Sequence, residues 1–238
     1  MTVRGLASHP LRFYGEGISY LKRMESKGNL IVLEGPDGSG RSTQIDMITS
    51  KLEADGHAVI TTGLKRSELI GSGILEAKHK LPLRKKTLAL FYAADFADQL
   101  EHKIIPALHA GYIVLADRYV FTLMARSNVR GISRGWSHDL FGFATKPDLV
   151  FYLDVPPEEL FHRVFQKYGS LDYYESGADM GLSDDLFESF VLYQRGIAKE
   201  FKLMESKYGI VRIDGGRPIP EVNADLQERI DGHLKNRR

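Results

Sequence analysis

The chain is 238 residues long, with 43% hydrophobic and 26% charged residues, the balance of a soluble globular protein with room for one sizeable core. Its 32 Lys and Arg nearly cancel 31 Asp and Glu, so no overall field points to nucleic acid or an anionic membrane as partner, and any anion recognition has to be local. Cysteine is absent, which excludes disulfides, thiolate metal sites and cysteine nucleophiles; with no apolar run near the ~18 residues that span a bilayer, the expected location is the cytoplasm.

Residues 1–28 mix Arg, His, Pro, Tyr and Gly without a continuous apolar stretch, and read as an N-terminal extension rather than a secretory leader. Tyr14, Tyr20 and Leu21 are its candidates for packing on the domain or on a partner. From residue 29 to 238 the pattern is that of one α/β domain. Strand-like apolar runs at Leu30–Leu33, Ala58–Thr62, Tyr112–Ala116, Leu149–Leu153 and Ile210–Ile213 are each followed by a helical pattern. Short, nearly all-apolar strands suit a parallel sheet covered on both faces. Helices are expected from Ser42 to Leu52, from Lys85 to Leu108 with Pro106 as a kink, from Pro157 onward, from a cap at Asp184-Asp185 to Lys207 before Gly209, and from Pro220 to Leu234. The expected architecture is a three-layer sandwich around a five-stranded parallel sheet, with binding at the carboxyl ends of the strands.

Gly35-Pro36-Asp37-Gly38-Ser39-Gly40-Arg41-Ser42-Thr43 joins the first strand to the first helix and is, apart from one position, the GxxxxGK[ST] phosphate loop. Its glycines let backbone N–H groups converge on phosphate oxygens, and the helix N-terminus adds its dipole. Gly35, Asp37, Gly38, Ser39, Gly40, Arg41, Ser42 and Thr43 are therefore candidate ligands of a nucleotide such as ATP, with the Ser42 hydroxyl placed to ligate Mg²⁺. Arg41 stands where lysine is usual; it keeps the charge but is planar and bulkier. A second charged station, Asp117-Arg118, ends the third strand run, where an acid can hold Mg²⁺ through water and an arginine can face a phosphate. Glu34, just before the loop, reads as a solvated strand-end acid, with metal binding as its other reading.

The ordered set Leu33-Glu34-Gly35 through Thr43-Gln44, Phe91-Tyr92-Ala93-Ala94, Ile105-Pro106-Ala107-Leu108, Asp117-Arg118-Tyr119, Lys146-Pro147-Asp148-Leu149, Leu153-Asp154-Val155 and Asp172-Tyr173-Tyr174-Glu175 resembles the thymidylate kinases, P-loop nucleoside-monophosphate kinases. The resemblance runs over roughly residues 30 to 232. It implies ATP·Mg²⁺-dependent phosphorylation of dTMP to dTDP, usually by a homodimer, with a lid around residues 166–185. Residue by residue, it implies that Asp37 bonds the acceptor sugar hydroxyl, that Arg66 holds the acceptor phosphate, that Phe91 stacks on the acceptor base and that Arg118 bridges the phosphates beside Asp117. It also implies that Thr122 lies on the acceptor side, that Tyr174 and Glu175 lie near the deoxyribose, and that Gly215 and Gly216 let backbone approach the donor adenine. Arg41, Arg66, Asp117 and Arg118 form the expected catalytic set.

The departures are specific. The family pattern has arginine where Asp95 stands and an aromatic near Arg126, followed by a polar reader at Ser127. Three readings of Asp95 are open: it orients Arg126, which supplies the missing guanidinium to the base; it reads the amino group of a different acceptor base; or it pairs locally and never meets the base. The catalytic arginine that the family carries in the phosphate loop or the lid falls on Gly38 in the loop, and Arg163 and Lys167 are the lid candidates, with service to the adenine side as the other reading of Arg163. Kinases of another monophosphate or of a nucleoside, and a non-catalytic nucleotide-binding module, are the competing functions; the Arg66–Arg118 pair favours a phosphate acceptor.

Overall fold

The computed structural model describes residues 26–80 and 83–236. The readings of Tyr14, Tyr20 and Leu21 fall outside the described residues. Five strands, β1 (Asn29–Glu34), β2 (Val59–Gly63), β3 (Ile113–Asp117), β4 (Leu149–Asp154) and β5 (Ile210–Asp214), form one sheet in the order β2-β3-β1-β4-β5. Every pairing is parallel. All five expected strands are present, each within a residue or two of its expected ends.

The helices are α1 (Arg41–Ala54), α2 (Gly71–Lys80), α3 (Lys85–Gln99), α4 (Ile105–His109), α5 (Val120–Val129), α6 (Arg134–Phe141), α7 (Pro157–Tyr168), α8 (Leu186–Tyr208) and α9 (Ile219–Lys235). Strand side chains alternate between the two faces. Ile31, Leu33, Leu115 and Phe151 pack against Ile45 and Ile48 of α1 and Leu226 and Ile230 of α9, while Leu30, Val32, Val114 and Tyr152 face the larger core made with α3, α5 and α8. This is the expected three-layer sandwich.

The long helix expected from Lys85 to Leu108 is divided. Residues Leu100–Ile104 widen into a π-helical turn, and α4 begins with Pro106 in its first turn. A proline there donates no N–H and its ring presses on the preceding turn, so the backbone opens where the kink was expected. Asp185 caps α8 through its side chain, which accepts from Glu188 N at 2.7 Å, and Gly209 ends the helix with φ of 67°. Because β1 and β3 are adjacent in the middle of the sheet, the loop after β1 and the Asp117-Arg118 step after β3 emerge side by side at the carboxyl edge.

Candidate active site

The loop between β1 and α1 turns through Gly35, Gly38 and Gly40, whose φ values of 149°, 83° and 89° are ones that L side chains rarely adopt. A Cβ on Gly35 would sit 2.7 Å from Ser39 Oγ and one on Gly38 3.0 Å from Val164, so shape as well as backbone angle requires glycine at both. Ser42 and Thr43 are exposed at the start of α1. The Ser39 hydroxyl is buried and has no hydrogen-bond partner among the described residues. A cavity of about 210 Å³ is lined by residues Pro36 to Thr43 on one side and by Arg163, Val164, Lys167 and Tyr168 of α7 on the other.

Arg41 lies inside this loop. Its Nε–H donates to Asp117 Oδ1 at 2.7 Å, Nη1 donates to the carbonyls of Gly35 and Pro36, and Nη2 reaches Asp37 Oδ1 at 3.4 Å. Arg118, itself at a positive φ of 71°, donates through Nη2 to Asp37 Oδ1 at 2.7 Å and through Nε to Gly35 O at 3.4 Å. Burial works against the Asp37 charge, but the guanidiniums of Arg118 and Arg41 outweigh it and hold the carboxyl well below the usual range. Asp117 is lowered in the same way: burial opposes its charge and Arg41 more than offsets it. Arg41 is raised despite its burial, by Asp117 and Asp37. Arg66 is exposed beside this group; its guanidinium lies across Gly63, where a Cβ would come within 3.2 Å of Nε, and it adds to the field on Asp117.

The arginine step at β3 is held by Glu34, and here the structure corrects the reading of a solvated acid. Glu34 is fully buried; Oε1 accepts from Tyr119 N at 3.0 Å and Thr122 N at 3.2 Å, and Oε2 accepts from the Thr122 hydroxyl. It thus satisfies N–H groups at the start of α5, which intrahelical bonding leaves open. Burial pushes its carboxyl up to about 7 against the lowering effect of those bonds. Thr122 is committed to this contact, with its side chain in the core.

On the far side, a crevice is lined by Lys85, Leu88, Ala89 and Tyr92 of α3, by Leu123, Arg126, Ser127 and Arg130 around α5, and by Phe141 and Tyr174. It is open to solvent on one side, with a cavity volume of about 20 Å³, room for a single water. Arg126 Nη2 donates to Glu175 Oε2 at 2.5 Å, and Arg118 lies 4.0 Å from the same oxygen. Burial opposes the Arg126 charge, but Glu175 reverses the effect and the guanidinium is raised. The Nε and Nη1 donors of Arg126 have no partner among the described residues. The Ser127 hydroxyl bonds back to Leu123 O at 2.8 Å.

Asp37, Arg41, Arg66, Asp117, Arg118, Arg126 and Glu175 are therefore brought together. Phe91 and Asp95 are not. Phe91 is half-buried against the core, and its neighbour Tyr92 is the aromatic that lines the crevice. Asp95 is fully buried and bonded to the backbone amides of Lys65 and Ser67, so of its three readings the geometry matches local pairing. The signal for Tyr92 is in the sequence: it stands four residues after Leu88 on the buried face of α3, whereas Phe91 lies a third of a turn away.

Gly215 packs so closely on β4 that a Cβ would meet Val155 at 2.8 Å, and its N–H donates to Asp154 O at 2.8 Å; Gly216 N–H donates to Asp214 Oδ1 at 2.9 Å. Arg163 spans from Gly38 O (3.3 Å) to Gly215 O (3.5 Å), linking the loop after β5 to the loop after β1. Lys167 lines the 210 Å³ cavity, with Nζ 5.1 Å over the Tyr168 ring. Sequence reasoning missed Arg130, only 5% exposed, which donates to both Asp179 carboxylate oxygens (2.7 and 3.0 Å), to Tyr174 O (2.6 Å), to the Tyr193 hydroxyl (2.9 Å) and to Arg126 O (3.2 Å). It fastens the segment between α7 and α8 onto α5. No helix among the described residues is long and apolar enough to cross a membrane.

Comparison with known proteins agrees with this arrangement. The thymidylate kinase family model matches residues 33–226. The chain is 35% identical over 211 residues to the probable thymidylate kinase 2 of Saccharolobus solfataricus, covering 88% of this chain and 99% of that protein. It is 34% identical over 216 residues to the thymidylate kinase of Shouchella clausii (87% and 97%), and 33% identical over 165 residues to that of Brachyspira hyodysenteriae (69% and 81%). A phosphate loop facing an Asp-Arg step on a β2-β3-β1-β4-β5 sheet, matched by the family model over most of its length, means that the chain belongs to the thymidylate kinase family.

Proposed function

We propose that this protein is a nucleoside-monophosphate kinase that moves the γ-phosphoryl group of ATP to dTMP, giving dTDP. The observation that carries the reading is the joining of the phosphate-loop residues Asp37 and Arg41 to Asp117 and Arg118 in one ion-paired cluster, with Arg66 beside it. Cations on both sides of one point are what transfer between two phosphates demands, and a monophosphate oxygen needs no general base.

The residues present fit the donor and its metal. The glycine turns, the unpartnered buried Ser39 hydroxyl and the exposed Ser42 and Thr43 form a polar cradle for phosphate oxygens. Ser42 and Asp117 would hold Mg²⁺, Asp117 through water, with its Oδ1 accepting from Arg41. Held there, the ion would supply charge neutralisation to the transferring phosphoryl group. Arg163, between Gly38 and Gly215, would take the donor side, and Gly215 and Gly216 would let backbone approach the adenine.

On the acceptor side, Arg66 and Arg118 align the incoming phosphate, Asp37 takes the sugar hydroxyl, and Tyr92 with Tyr174 flank the base. The crevice wall offers Arg126 and Lys85, side chains that can only donate, which suits a base that presents carbonyl oxygens. Residues 166–185 act as the lid within a kinase domain spanning 29–238. The family pattern adds a cytoplasmic homodimer to the proposal.

A coupled ADP-release assay across nucleosides and nucleoside monophosphates tests the reading, with dTMP expected as the preferred acceptor. Because Arg41 gives four N–H groups to the protein itself, a second reading is a nucleotide-binding module that does not turn over. Silence across the whole panel, with ATP still bound, would establish it in place of the kinase.

A further inference from the structure

We propose that Asp95 is the positioning residue for Arg66: a buried carboxylate that fixes the turn from which this arginine meets the acceptor phosphate. The inference rests on the kinase reading and deepens it. Asp95 lies on α3, yet its oxygens face the turn after β2. Oδ2 accepts from Lys65 N at 2.8 Å and from Gln99 Nε2 at 2.9 Å, and Oδ1 accepts from Ser67 N at 3.0 Å. Arg66 is the residue between those two amides.

The surroundings over-determine the turn. Gln99 is held in place by the Thr62 hydroxyl, which donates to Oε1 at 2.7 Å, so Thr62 of β2, Gln99 and Asp95 form one chain. The Ser67 hydroxyl donates to Asp98 Oδ2 at 2.5 Å and accepts from Ile70 N at 3.0 Å. Gly71 closes the other side; a Cβ there would stand 2.7 Å from Lys65 O. Within this frame Lys65 is held at a φ of 61°, a conformation that costs a residue with a side chain about 1 kcal/mol and persists only when neighbours enforce it. The backbone angle turns the next side chain, Arg66, across Gly63 toward Asp117.

A carboxylate is suited to this task because it accepts only, and two amides plus one carboxamide N–H converge on it. Asparagine has the same shape but would aim an NH₂ at one of those amides. The expected result for Asp95→Asn is a rise of about tenfold in the KM for dTMP with the KM for ATP unchanged, since a displaced clamp weakens acceptor placement alone. Thr62→Val, a milder break in the same chain, should shift the same constant by about two- to threefold.

The deciding experiment is a double-mutant cycle with Arg66→Ala, read both as acceptor KM and as dTMP dissociation constant by calorimetry. If Asp95 acts through Arg66, Asp95→Asn adds nothing in the Arg66→Ala background. Multiplicative losses, or a changed dTMP-to-dCMP preference in Asp95→Asn, would overturn the assignment. A wild-type protein that binds dTMP without turnover removes the kinase reading, while the calorimetric cycle still decides for or against Asp95. Absence of dTMP binding overturns both.

Discussion

The Nε–H of Arg41 donates to Asp117 Oδ1 at 2.7 Å, so the cation of the phosphate loop is ion-paired to the acid at the tip of the neighbouring strand. With Nη1 on the carbonyls of Gly35 and Pro36, the guanidinium acts as an internal brace as well as a charge. Removing it in Arg41→Met would leave Asp117, largely shielded from water, without its guanidinium partner, while Asp37 keeps Arg118. The expected loss is about 3 kcal/mol of stability, together with a fall in kcat on the order of 10²-fold. Arg41→Lys keeps the charge but cannot span the same acceptors, so it should unfold earlier in urea while staying within about tenfold of wild-type turnover. Denaturation and steady-state kinetics on the two variants check both halves; full activity in Arg41→Met would show that the cation is dispensable.

Base selection is expected to depend on Arg126. Its guanidinium is anchored by Glu175 and presents two further donors on the crevice wall. Arg126→Gln should lower kcat/KM for dTMP by about 10- to 100-fold, the range for losing a hydrogen bond to a charged group, and lower it less for dCMP. Glu175→Gln is the control, because it loosens the anchor and keeps the donors. An unchanged ratio of dTMP to dCMP in Arg126→Gln would remove the residue from base recognition.

The central strands and the phosphate loop were legible because each rests on local pattern: continuous apolar runs for β1 and β3, and glycines at fixed spacing for a turn that needs positive φ. The helices α2, α5 and α6 were not. In α5 the residues from Val120 to Ala125 are all buried, so no polar face marks a period, and α2 carries Gly71 and Gly73. At the site, Asp117 and Arg118 were readable from position at a strand end. Asp95, Thr122 and Glu34 were not, because burial and partners from distant segments decide what a carboxylate or a hydroxyl does. Glu34 meets Thr122 across 88 positions, and no local spacing encodes that.

Glu34 makes stability depend on pH in a direction opposite to its neighbours. Its native carboxyl is raised from 4.5 to about 7, so the fold holds the proton more tightly than the unfolded chain does. That contribution is fully present below pH 4.5 and is lost as pH rises toward 7, an effect of about 3 kcal/mol. Asp37 and Asp117, held low, contribute stability above the usual carboxylate range that is lost on acidification. The difference between wild type and Glu34→Gln isolates the first effect. The amide keeps the acceptor for the Tyr119 and Thr122 N–H groups and does not titrate, so the variant should gain on wild type between pH 5 and pH 7 in urea unfolding. Parallel curves would mean that Glu34 is not protonated in the fold.

Arg130 should govern the order of the segment that carries Tyr174 and Glu175. All five of its N–H groups are taken: two bonds to Asp179, one to Tyr174 O, one to the Tyr193 hydroxyl and one to Arg126 O. Arg130→Met retains much of the side chain's length and apolar contact but leaves Asp179 and the Tyr174 carbonyl without that donor. The segment should then open more often, seen as faster proteolysis between Gly169 and Asp185 and faster amide exchange there, with little change in the strands. Because Glu175 belongs to the same segment, the KM for dTMP should rise by about tenfold while ATP binding at the phosphate loop is preserved. Unchanged cleavage and exchange in that segment, with a normal acceptor KM, would mean that the Asp172–Ser176 turn holds itself closed through its own bonds to Asp172.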